Sequence, residues 1–201
     1  MISIGFTGAG GGGKGTLGES LSRSLDIRFV RSSVQSVGQE LFPRSKNFSD
    51  MTPADKYLFQ HCAVIAQMET EKIFRSEGDS FLAERSVLDF IPYFLKVFGE
   101  EKELCSNYQQ MVWDYLKDHP YDYLVYIQVE FRPSADDMQR NAWKERNESS
   151  QQHTDAVIRD LISSMAFQGI QIPKIIRVSG SVEERVQQCI NEITKVAVKQ
   201  Q

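Results

Sequence analysis

Glycine is concentrated in one short stretch near the start of the chain. Of the 13 glycines in 201 residues, seven lie between Gly5 and Gly15, together with Lys14 and Thr16. Glycines let a backbone curl until its N–H groups converge on phosphate oxygens, and a helix N-terminus adds a partial positive charge. A lysine in such a loop supplies a mobile positive charge for the outer phosphates of a nucleotide. This stretch therefore predicts a phosphate-binding loop.

The spacing within the loop makes the prediction more specific. Gly8 and Gly13 enclose four residues and Lys14 follows, which meets the P-loop pattern except at its last position. Gly15 stands where Ser or Thr is usual, and the hydroxyl is displaced to Thr16. We expect Thr16 to contact an inner phosphate, and we keep it with Glu84 as a candidate group for Mg²⁺. The predicted ATP-binding residues of the loop are Gly8, Gly10, Gly11, Gly12, Gly13, Lys14, Gly15 and Thr16.

Two other interpretations of the loop stay open from the residues alone. One is a flexible glycine turn without a ligand. The other is dinucleotide binding, because Gly8, Gly10 and Gly13 also satisfy G-x-G-x-x-G. Arg31, after the second predicted strand, would suit the 2′-phosphate of NADP, so an NADP-dependent oxidoreductase is an alternative function. Against it, Lys14 has no assigned role in such a loop, and the chain contains no Tyr-x-x-x-Lys pair.

A second candidate group follows the third predicted strand. Glu84 and Arg85 would lie at the carboxyl end of a central parallel strand, where ligands bind in such sheets. Glu84 would hold Mg²⁺ through water or accept a proton from an acceptor hydroxyl. Arg85 would form a bidentate contact with a phosphate, which lysine does less well. The alternative is a surface ion pair at the end of a strand.

The pattern of apolar residues predicts the elements that position these groups. Short buried runs predict five strands, at 2–6, 27–30, 80–83, 123–128 and 174–178. Helical patterns cover 15–25, 33–41, 53–75, 87–98, 101–117 and 154–167, and a last helix follows Gly180 and Ser181. In the helix that begins with Thr52 as N-cap and Pro53 at its first position, an apolar stripe is predicted at Leu58, Cys62, Ile65 and Met68. Strands that alternate with helices and consist of buried runs indicate a three-layer α/β domain with a parallel sheet.

Composition restricts the class of protein. A hydrophobic fraction of 41% and a charged fraction of 25% describe a globular chain with a sizeable core, predicted as a single domain over 1–201. The sequence contains no run of eighteen apolar residues, so we expect no membrane span. The first residues lack the basic start of a secretory signal. The net charge of −4 argues against a non-specific DNA binder. Three widely spaced cysteines without a CxxC pair favour reduced thiols and a cytoplasmic protein.

The motifs together resemble a known superfamily. Gly-Lys-Gly-Thr after a glycine loop is similar to the nucleoside monophosphate kinases. Glu84-Arg85-Ser86 resembles the Glu/Asp-Arg-Ser/Tyr motif of deoxyribonucleoside and thymidylate kinases, and Phe59-Gln60 resembles the helix with which the former read a base. Residues 178–186 resemble the loop that touches adenine in this superfamily. The layout is also similar to small P-loop kinase-like proteins of bacteriophages.

The resemblance implies a P-loop kinase fold, ATP and Mg²⁺ as cofactors, and a role for individual residues. The implied catalytic residues are Lys14, Glu84, Arg85 and Arg140, the implied substrate-binding residues are Arg31, Gln60, Arg85 and Asp89, and Arg146 and Gly180 join the ATP-binding set. A mobile lid is implied at 131–150, where arginines would close over the phosphates. A solvated charge run is the alternative for this segment, and a helix-surface glutamine is the alternative for Gln60.

The acceptor of the phosphoryl group is the least determined part of the prediction. Nucleoside kinases carry a carboxylate base just after the second strand, whereas this chain has Arg31-Ser32-Ser33 there. A positive residue suits an acceptor that already bears a phosphate, so a (deoxy)nucleoside monophosphate is expected. One alternative acceptor is a deoxyribonucleoside, with Glu84 as the general base. Another is a hydroxyl on a modified nucleobase, free or in DNA. A non-catalytic nucleotide-dependent regulatory module is an alternative function. The helices over 87–117 are candidates for core or for a homodimer surface.

Overall fold

The computed structural model describes residues 1–43, 48–128 and 148–197. Within them, five strands form one parallel sheet in the order β2-β3-β1-β4-β5. The strands are β1 (Ser3–Thr7), β2 (Arg28–Val30), β3 (Phe81–Ala83), β4 (Tyr123–Ile127) and β5 (Lys174–Val178). The helices are α1 (Lys14–Leu25), α2 (Ser33–Leu41), α3 (Pro53–Glu77), α4 (Phe90–Phe98), α5 (Lys102–Asp118), α6 (Glu148–Ser164) and α7 (Val182–Ala197). The predicted three-layer α/β architecture is confirmed.

Both faces of the sheet are buried, as the continuous apolar runs in the strands predict. Successive side chains of a strand point to opposite faces. Ile4 and Phe6 of β1 share one core with Leu17 of α1 and with the apolar side of α7. Phe81 of β3 and Leu124 of β4 belong to a second core, which they share with α3, α4 and α5. The sheet is therefore the middle layer of three.

The order of the strands creates a crevice at one edge of the sheet. The chain runs from β1 to the outer strand β2, returns through β3 beside β1, and then crosses to β4 on the other side. Ligands bind outside the carboxyl ends of parallel strands where the order reverses in this way. The N–H of Ser86 donates to the carbonyl of Phe6 at 2.7 Å, and that of Glu84 donates to the carbonyl of Val30 at 2.9 Å. The segments that follow β1, β2 and β3 therefore meet at this crevice.

The predicted start of α3 is confirmed. The N–H of Asp55 donates to Thr52 Oγ1 at 3.2 Å, and Thr52 Oγ1 donates to the Asp55 carboxylate at 2.7 Å. Pro53 occupies the first helical position, where its missing N–H costs nothing. Gly78, with φ of +74°, ends the helix in the left-handed conformation that favours glycine.

The apolar stripe predicted for α3 is confirmed at Met68, which is buried, and at Cys62, which packs against the core, and it is wrong at the other two positions. Leu58 and Ile65 are 49% and 45% exposed, whereas Phe59, Ala63 and Val64 are buried. The error has a physical cause, because the buried face also carries three polar side chains, which pattern reading assigns to the solvent side. These inward-facing residues are Gln60, Gln67 and Glu71.

Element boundaries differ from the prediction at two places. Helix α6 begins at Glu148, six residues earlier than expected, so residues 148–150 of the predicted lid are helical. The helix predicted at 87–98 begins as a short 3₁₀ turn, Val87–Asp89, before α4. Residues 131–147 of the predicted lid, with Arg140 and Arg146, lie outside the described residues. No helix within the described ranges is both long enough and apolar enough to cross a membrane.

Candidate active site

The phosphate loop connects β1 to α1, and side chains from three helices hold its carbonyl groups. Lys14 Nζ donates to the carbonyl of Gly8 and, at 2.9 Å, to that of Ala9. Gln151 Nε2 of α6 donates to Gly10 at 2.7 Å, and Arg185 Nη1 of α7 donates to Gly12 at 2.9 Å. In a trans peptide the N–H points away from the carbonyl. The N–H groups that follow these carbonyls are therefore turned away from the protein donors, as a phosphate cradle requires.

Three loop glycines, Gly8, Gly11 and Gly13, have the positive φ that favours glycine, and Gly8 and Gly13 also shape the site. A Cβ on Gly8 would overlap with the carbonyl oxygen of Ile127, and the φ of Gly8 is +143°. Gly13 caps α1 with φ of +79°, and a Cβ there would meet nothing within 4 Å. The first glycine allows close packing against β4, and the second leaves the space above the helix N-terminus open. A phosphate at that position would meet the positive end of the helix dipole.

Lys14 is buried beside a carboxylate. Its side chain is 7% exposed, and Nζ lies 3.4 Å from the carboxylate of Asp89, which is fully buried. The Asp89 carboxylate also accepts hydrogen bonds from Thr7 Oγ1 and, at 3.3 Å, from the N–H of Gly8. The contacts place Asp89 against the phosphate loop, and its predicted role in substrate binding stays a prediction. In the ligand-free chain it balances the charge of Lys14.

Glu84 approaches the first turn of α1 through the space that Gly15 leaves. A Cβ on Gly15 would lie 3.2 Å from Glu84 Oε1. The other carboxylate oxygen accepts the N–H of Ser32 at 3.1 Å. Glu84 is only partly buried, so its carboxylate is accessible from the crevice. The glycine that replaces the usual Ser or Thr thus gives a carboxylate access to the phosphate loop.

Arg85 lies in a buried, electrostatically strong environment. It is 4% exposed, and its Cζ lies 4.9 Å from the ring centroid of Tyr93. Burial lowers the pKa of Arg85, but Tyr93, Asp89 and Glu84 outweigh that effect and raise it. Burial likewise raises the pKa of the Tyr93 phenol, while the positive charges of Arg85 and Lys14 lower it below its usual value. Lys14 and Arg85 therefore act on the same point of the crevice.

Several buried polar atoms around the crevice lack a hydrogen-bond partner. Six such side-chain atoms occur among the described residues, and four of them belong to the loops after β2 and β3. Buried polar groups in native proteins are nearly always paired, so such a cluster indicates a place where a ligand or water completes the bonding. The four atoms are Ser32 Oγ, Arg85 Nε, Ser86 Oγ and Asp89 Oδ2, and the last of these is the oxygen that forms the ion pair with Lys14 at 3.4 Å.

Arg31 does not point into the crevice. Its guanidinium pairs with Glu19 of α1 at 2.6 Å and lies 5.8 Å from the Phe29 ring centroid. The side chain is 73% exposed. Its predicted contact with an acceptor phosphate would require this exposed pair to break, and such pairs contribute only about 0–1 kcal/mol.

Gln60 faces inward from α3. It is 6% exposed, and its backbone carbonyl accepts the Tyr108 hydroxyl at 3.3 Å. The alternative of a helix-surface glutamine is therefore wrong, because this side chain is buried. Its carboxamide forms no hydrogen bond with another of the described residues, so it is available to a polar ligand such as a base edge. Its predicted role in substrate binding stays a prediction.

Two further predicted residues lie at the edges of the site. Thr16 is exposed in the first turn of α1, one residue beyond Gly15. Gly180 follows β5 with φ of +90°, directly before the helix cap at Ser181. The N–H of Glu184 donates to Ser181 Oγ at 3.2 Å, and the Glu184 carboxylate accepts the N–H of Ser181 at 2.7 Å. This reciprocal cap confirms the predicted start of the last helix.

The residues fit a nucleotide with Mg²⁺. The glycine loop, with its carbonyls held outward, matches the shape and polarity of a nucleotide's phosphates. Mg²⁺ in such sites keeps several waters and uses one or two carboxylates together with substrate phosphates. Glu84 is placed for that role through water, and Thr16 is within the same helical turn.

Three residues of the site were not predicted from the sequence. Gln151 and Arg185 hold the loop carbonyls, and Tyr93 lies beside Arg85. Arg185 lies within residues 178–186, which carry part of the resemblance, and Tyr93 lies eight residues after Arg85. Gln151 lies in a polar stretch of α6, 141 residues from Gly10, and no local pattern distinguishes it.

A family model for an AAA domain matches residues 3–185. The chain belongs to this AAA-domain family. Among curated protein sequences, none matches the chain.

Solved structures with the same fold are nucleoside and nucleotide kinases and a related protein. A deoxyadenosine kinase from M. mycoides, solved with dCMP and a flexible dCDP, matches with a TM-score of 0.68 and 14% identity, over 96% of this chain and 100% of that one. A thymidylate kinase from Ehrlichia chaffeensis matches with a TM-score of 0.63 and 16% identity, over 96% of this chain and 98% of that one. NadR, solved with NAD and AMP-PNP, matches with a TM-score of 0.68 and 13% identity, over 96% of this chain and 49% of that one. The AAA-domain protein thus has the predicted P-loop kinase fold.

Proposed function

We propose that this AAA-domain protein is an ATP-dependent phosphotransferase that phosphorylates a nucleoside-type acceptor. The observation that carries the proposal is the meeting of Lys14, Glu84 and Arg85 at one crevice beside the phosphate loop. Phosphoryl transfer depends mainly on positioning and on charge stabilisation, and these groups supply both.

Each group has a role in the proposed reaction. The loop N–H groups and Lys14 bind the β- and γ-phosphates of ATP. Mg²⁺, when bound, supplies further positive charge between the outer phosphates. Arg85 stabilises the negative charge of the transferring group through a planar guanidinium that can make two bonds at once. Glu84 orients the attacking hydroxyl and accepts its proton.

The contacts around the crevice favour a neutral nucleoside as the acceptor. The described charged side chains there are three cations, Lys14, Arg85 and Arg185, and two carboxylates, Glu84 and Asp89, so one net positive charge faces the phosphates of ATP. A monophosphate would add about two negative charges next to those of ATP, with Arg31 turned away toward Glu19. A nucleoside adds none. The buried carboxamide of Gln60 supplies a donor and an acceptor for a base.

The nucleoside monophosphate, which the sequence favours, is the second candidate. Arg85 Nε is buried without a hydrogen-bond partner among the described residues. An acceptor phosphate would satisfy this donor, and a guanidinium binds phosphate well. The charge of the crevice favours the nucleoside, and the assay below separates the two.

The test measures ADP release from ATP and Mg²⁺ with a panel of acceptors. The panel contains ribonucleosides, deoxyribonucleosides, modified-base nucleosides and the corresponding monophosphates. The proposal expects release with at least one nucleoside and little with its monophosphate. Release with monophosphates alone would establish the second candidate instead. Stoichiometric ATP binding without ADP release for any acceptor would support a regulatory module and refute the proposal.

A matched pair of lysine variants connects the activity to the loop. Lys14→Gln removes the charge that contacts the loop and Asp89. Lys72→Gln removes a partly exposed charge on α3, where Lys72 pairs with Glu69 at 2.8 Å. The proposal expects ADP release to disappear in the first variant only. Thermal unfolding of both variants checks that they remain folded.

A further inference from the structure

One buried carboxylate lies behind the acceptor side of the site. Glu71 of α3 is fully buried and accepts a hydrogen bond from Gln67 Nε2 at 2.9 Å. The Tyr115 hydroxyl donates to it at 3.0 Å, and the Tyr121 hydroxyl lies 2.9 Å from each carboxylate oxygen. A buried carboxylate is costly unless it is fully hydrogen-bonded. Three polar side chains from separate parts of the chain meet this requirement.

Two of these partners extend to the loops of the site. Tyr121 Oη accepts the N–H of Val87 at 3.1 Å, two residues after Arg85. Gln67 Oε1 accepts the N–H of Ser33 at 3.4 Å. Ser33 follows Ser32, whose own N–H donates to Glu84. Each loop is therefore one side chain away from the Glu71 carboxylate.

We propose that Glu71 is a positioning residue for the acceptor side of the site. Through Gln67 and Tyr121 its carboxylate fixes the backbone of the loop after β2 and of the loop that carries Arg85. Tyr115 completes the hydrogen bonding of the carboxylate and contacts neither loop. What the loops hold rests on the proposed function, whereas the linkage itself is testable without any catalytic activity.

The protonation state of Glu71 changes this linkage. An ionised carboxylate only accepts hydrogen bonds, so the Tyr121 hydroxyl donates to it and its oxygen stays available to Val87. A protonated carboxyl must also donate, and its acceptors within reach are Tyr121 Oη, 2.9 Å from both carboxylate oxygens, and Tyr115 Oη, 3.0 Å from one. A carboxyl that donates to Tyr121 competes with the Val87 N–H. Burial raises the pKa of Glu71 to about 7, although hydrogen bonds from Gln67 and the two tyrosines lower it. We therefore expect the hydrogen bond between the Val87 N–H and Tyr121 Oη to weaken as the pH falls through about 7.

Other charged and titratable groups surround Glu71, and Arg75 is the one that acts on its carboxylate. Arg75 lowers the pKa of Glu71, and its guanidinium is held by the carbonyls of His119 at 3.2 Å and Pro120 at 3.1 Å. Burial raises the pKa values of Tyr115 and Tyr121, so both remain hydrogen-bond donors. His119 stacks on the Tyr115 ring at 4.8 Å, and Lys72 lies 5.9 Å from the same ring. Both face the tyrosine rather than the carboxylate.

The first experiment measures amide hydrogen exchange by NMR in the full-length protein. Protection factors of Val87, Ser33 and, as an internal control, Leu124 of β4 are compared at pH 8 and pH 6 after correction for intrinsic exchange. We expect the protection of Val87 to fall at least about tenfold at pH 6, Ser33 to follow more weakly, and Leu124 to remain unchanged. In Glu71→Gln the protection of Val87 is low at both pH values. Protection of Val87 that is independent of pH in the wild type would overturn the proposal.

The second experiment uses the two tyrosines as a matched pair. Tyr121→Phe and Tyr115→Phe each remove one hydroxyl from Glu71, but only Tyr121 contacts a loop amide. We expect Tyr121→Phe to lower the protection of Val87 and, once an acceptor is known, to raise its KM while the KM for ATP is unchanged. Tyr115→Phe leaves both quantities near the wild-type values. Equal effects of the two variants on Val87 would show that Glu71 has only a general structural role.

Discussion

The two sides of the crevice are built in different ways. On the phosphate-loop side, the carbonyls of Gly8, Ala9, Gly10 and Gly12 are each held by a donor from a packed side chain. On the acceptor side, the loops after β2 and β3 contain buried polar atoms without hydrogen-bond partners among the described residues. The carbonyls on the first side are therefore paired within the protein, whereas polar atoms on the second side remain open to a ligand.

This difference has an energetic meaning. An unpaired buried polar group costs about 1–3 kcal/mol. Pairing of Ser32 Oγ, Arg85 Nε and Ser86 Oγ with a ligand would avoid this cost, and the Glu71 network holds the loops that carry them. An acceptor that bonds to these atoms regains that energy on binding. Changes on the loop side should affect ATP, and changes on the other side should affect the acceptor.

The largest effect is expected for Lys14. Lys14→Gln should lower kcat/KM by at least about 10³-fold, because the charge that holds the outer phosphates is lost. Steady-state ADP release measures it, with Lys72→Gln as the matched control. If Lys14→Gln keeps more than a tenth of the wild-type activity, the loop does not perform the role assigned to it.

Arg85 tests the acceptor side with an effect nearly as large. Arg85→Ala should lower kcat by about 10²–10³-fold while the Kd for ATP changes little. Arg85→Lys should recover only part of this loss, since an ammonium cannot reproduce a bidentate contact. Kinetics and ATP titration of both variants decide the matter. A large loss of ATP affinity would instead place Arg85 with the phosphate loop.

The charge of Glu71 should be visible in the stability of the protein. Its folded-state pKa of about 7 lies above the ordinary 4.5, so the folded protein disfavours the ionised form. The stabilisation of the protonated form is complete below about pH 4.5 and is lost as the pH rises through about 7. Between pH 5 and 8 the free energy of unfolding of the wild type should fall by on the order of 3 kcal/mol relative to that of Glu71→Gln. Urea unfolding of both proteins measures this difference, and a constant difference between the two would contradict the account.

Gln151 should give the smallest effect and one confined to the nucleotide. Gln151→Ala removes one neutral hydrogen bond to the carbonyl of Gly10, which contributes about 0.5–1.5 kcal/mol. The Kd for ATP should rise up to about tenfold with the acceptor KM unchanged. Gln187→Ala, an exposed position on α7 that pairs with Asn191, is the control. An equal rise in the acceptor KM would show that the two sides are not separable.

The phosphate-loop side could be predicted from the sequence because its signal is local. Gly8, Gly13 and Lys14 lie within seven residues, and strand, loop and helix follow one another directly. The caps of α3 and α7 are equally local, since each depends on two residues three apart. Short-range backbone chemistry of this kind needs no knowledge of the tertiary fold.

The acceptor side could be predicted only in part because its contacts are made over long distances in the chain. Asp89 reaches the loop from 81 residues away, and Tyr121 reaches Glu71 across 50. Glu71 lies on the buried face of α3, but a prediction from the apolar pattern places polar residues on the exposed face of a helix. Arg31 was assigned by its position after β2, but an exposed arginine is free to pair elsewhere, and Glu19 of α1 offers that pair.

The central claim is that the crevice transfers a phosphoryl group from ATP to a nucleoside. The most direct measurement follows the label of [γ-³²P]ATP into products separated by thin-layer chromatography, with the nucleoside panel and with wild type, Lys14→Gln and Lys72→Gln. We expect a labelled nucleoside monophosphate with wild type and Lys72→Gln and none with Lys14→Gln. ATP that binds at the loop while the label stays in ATP for every acceptor would contradict it.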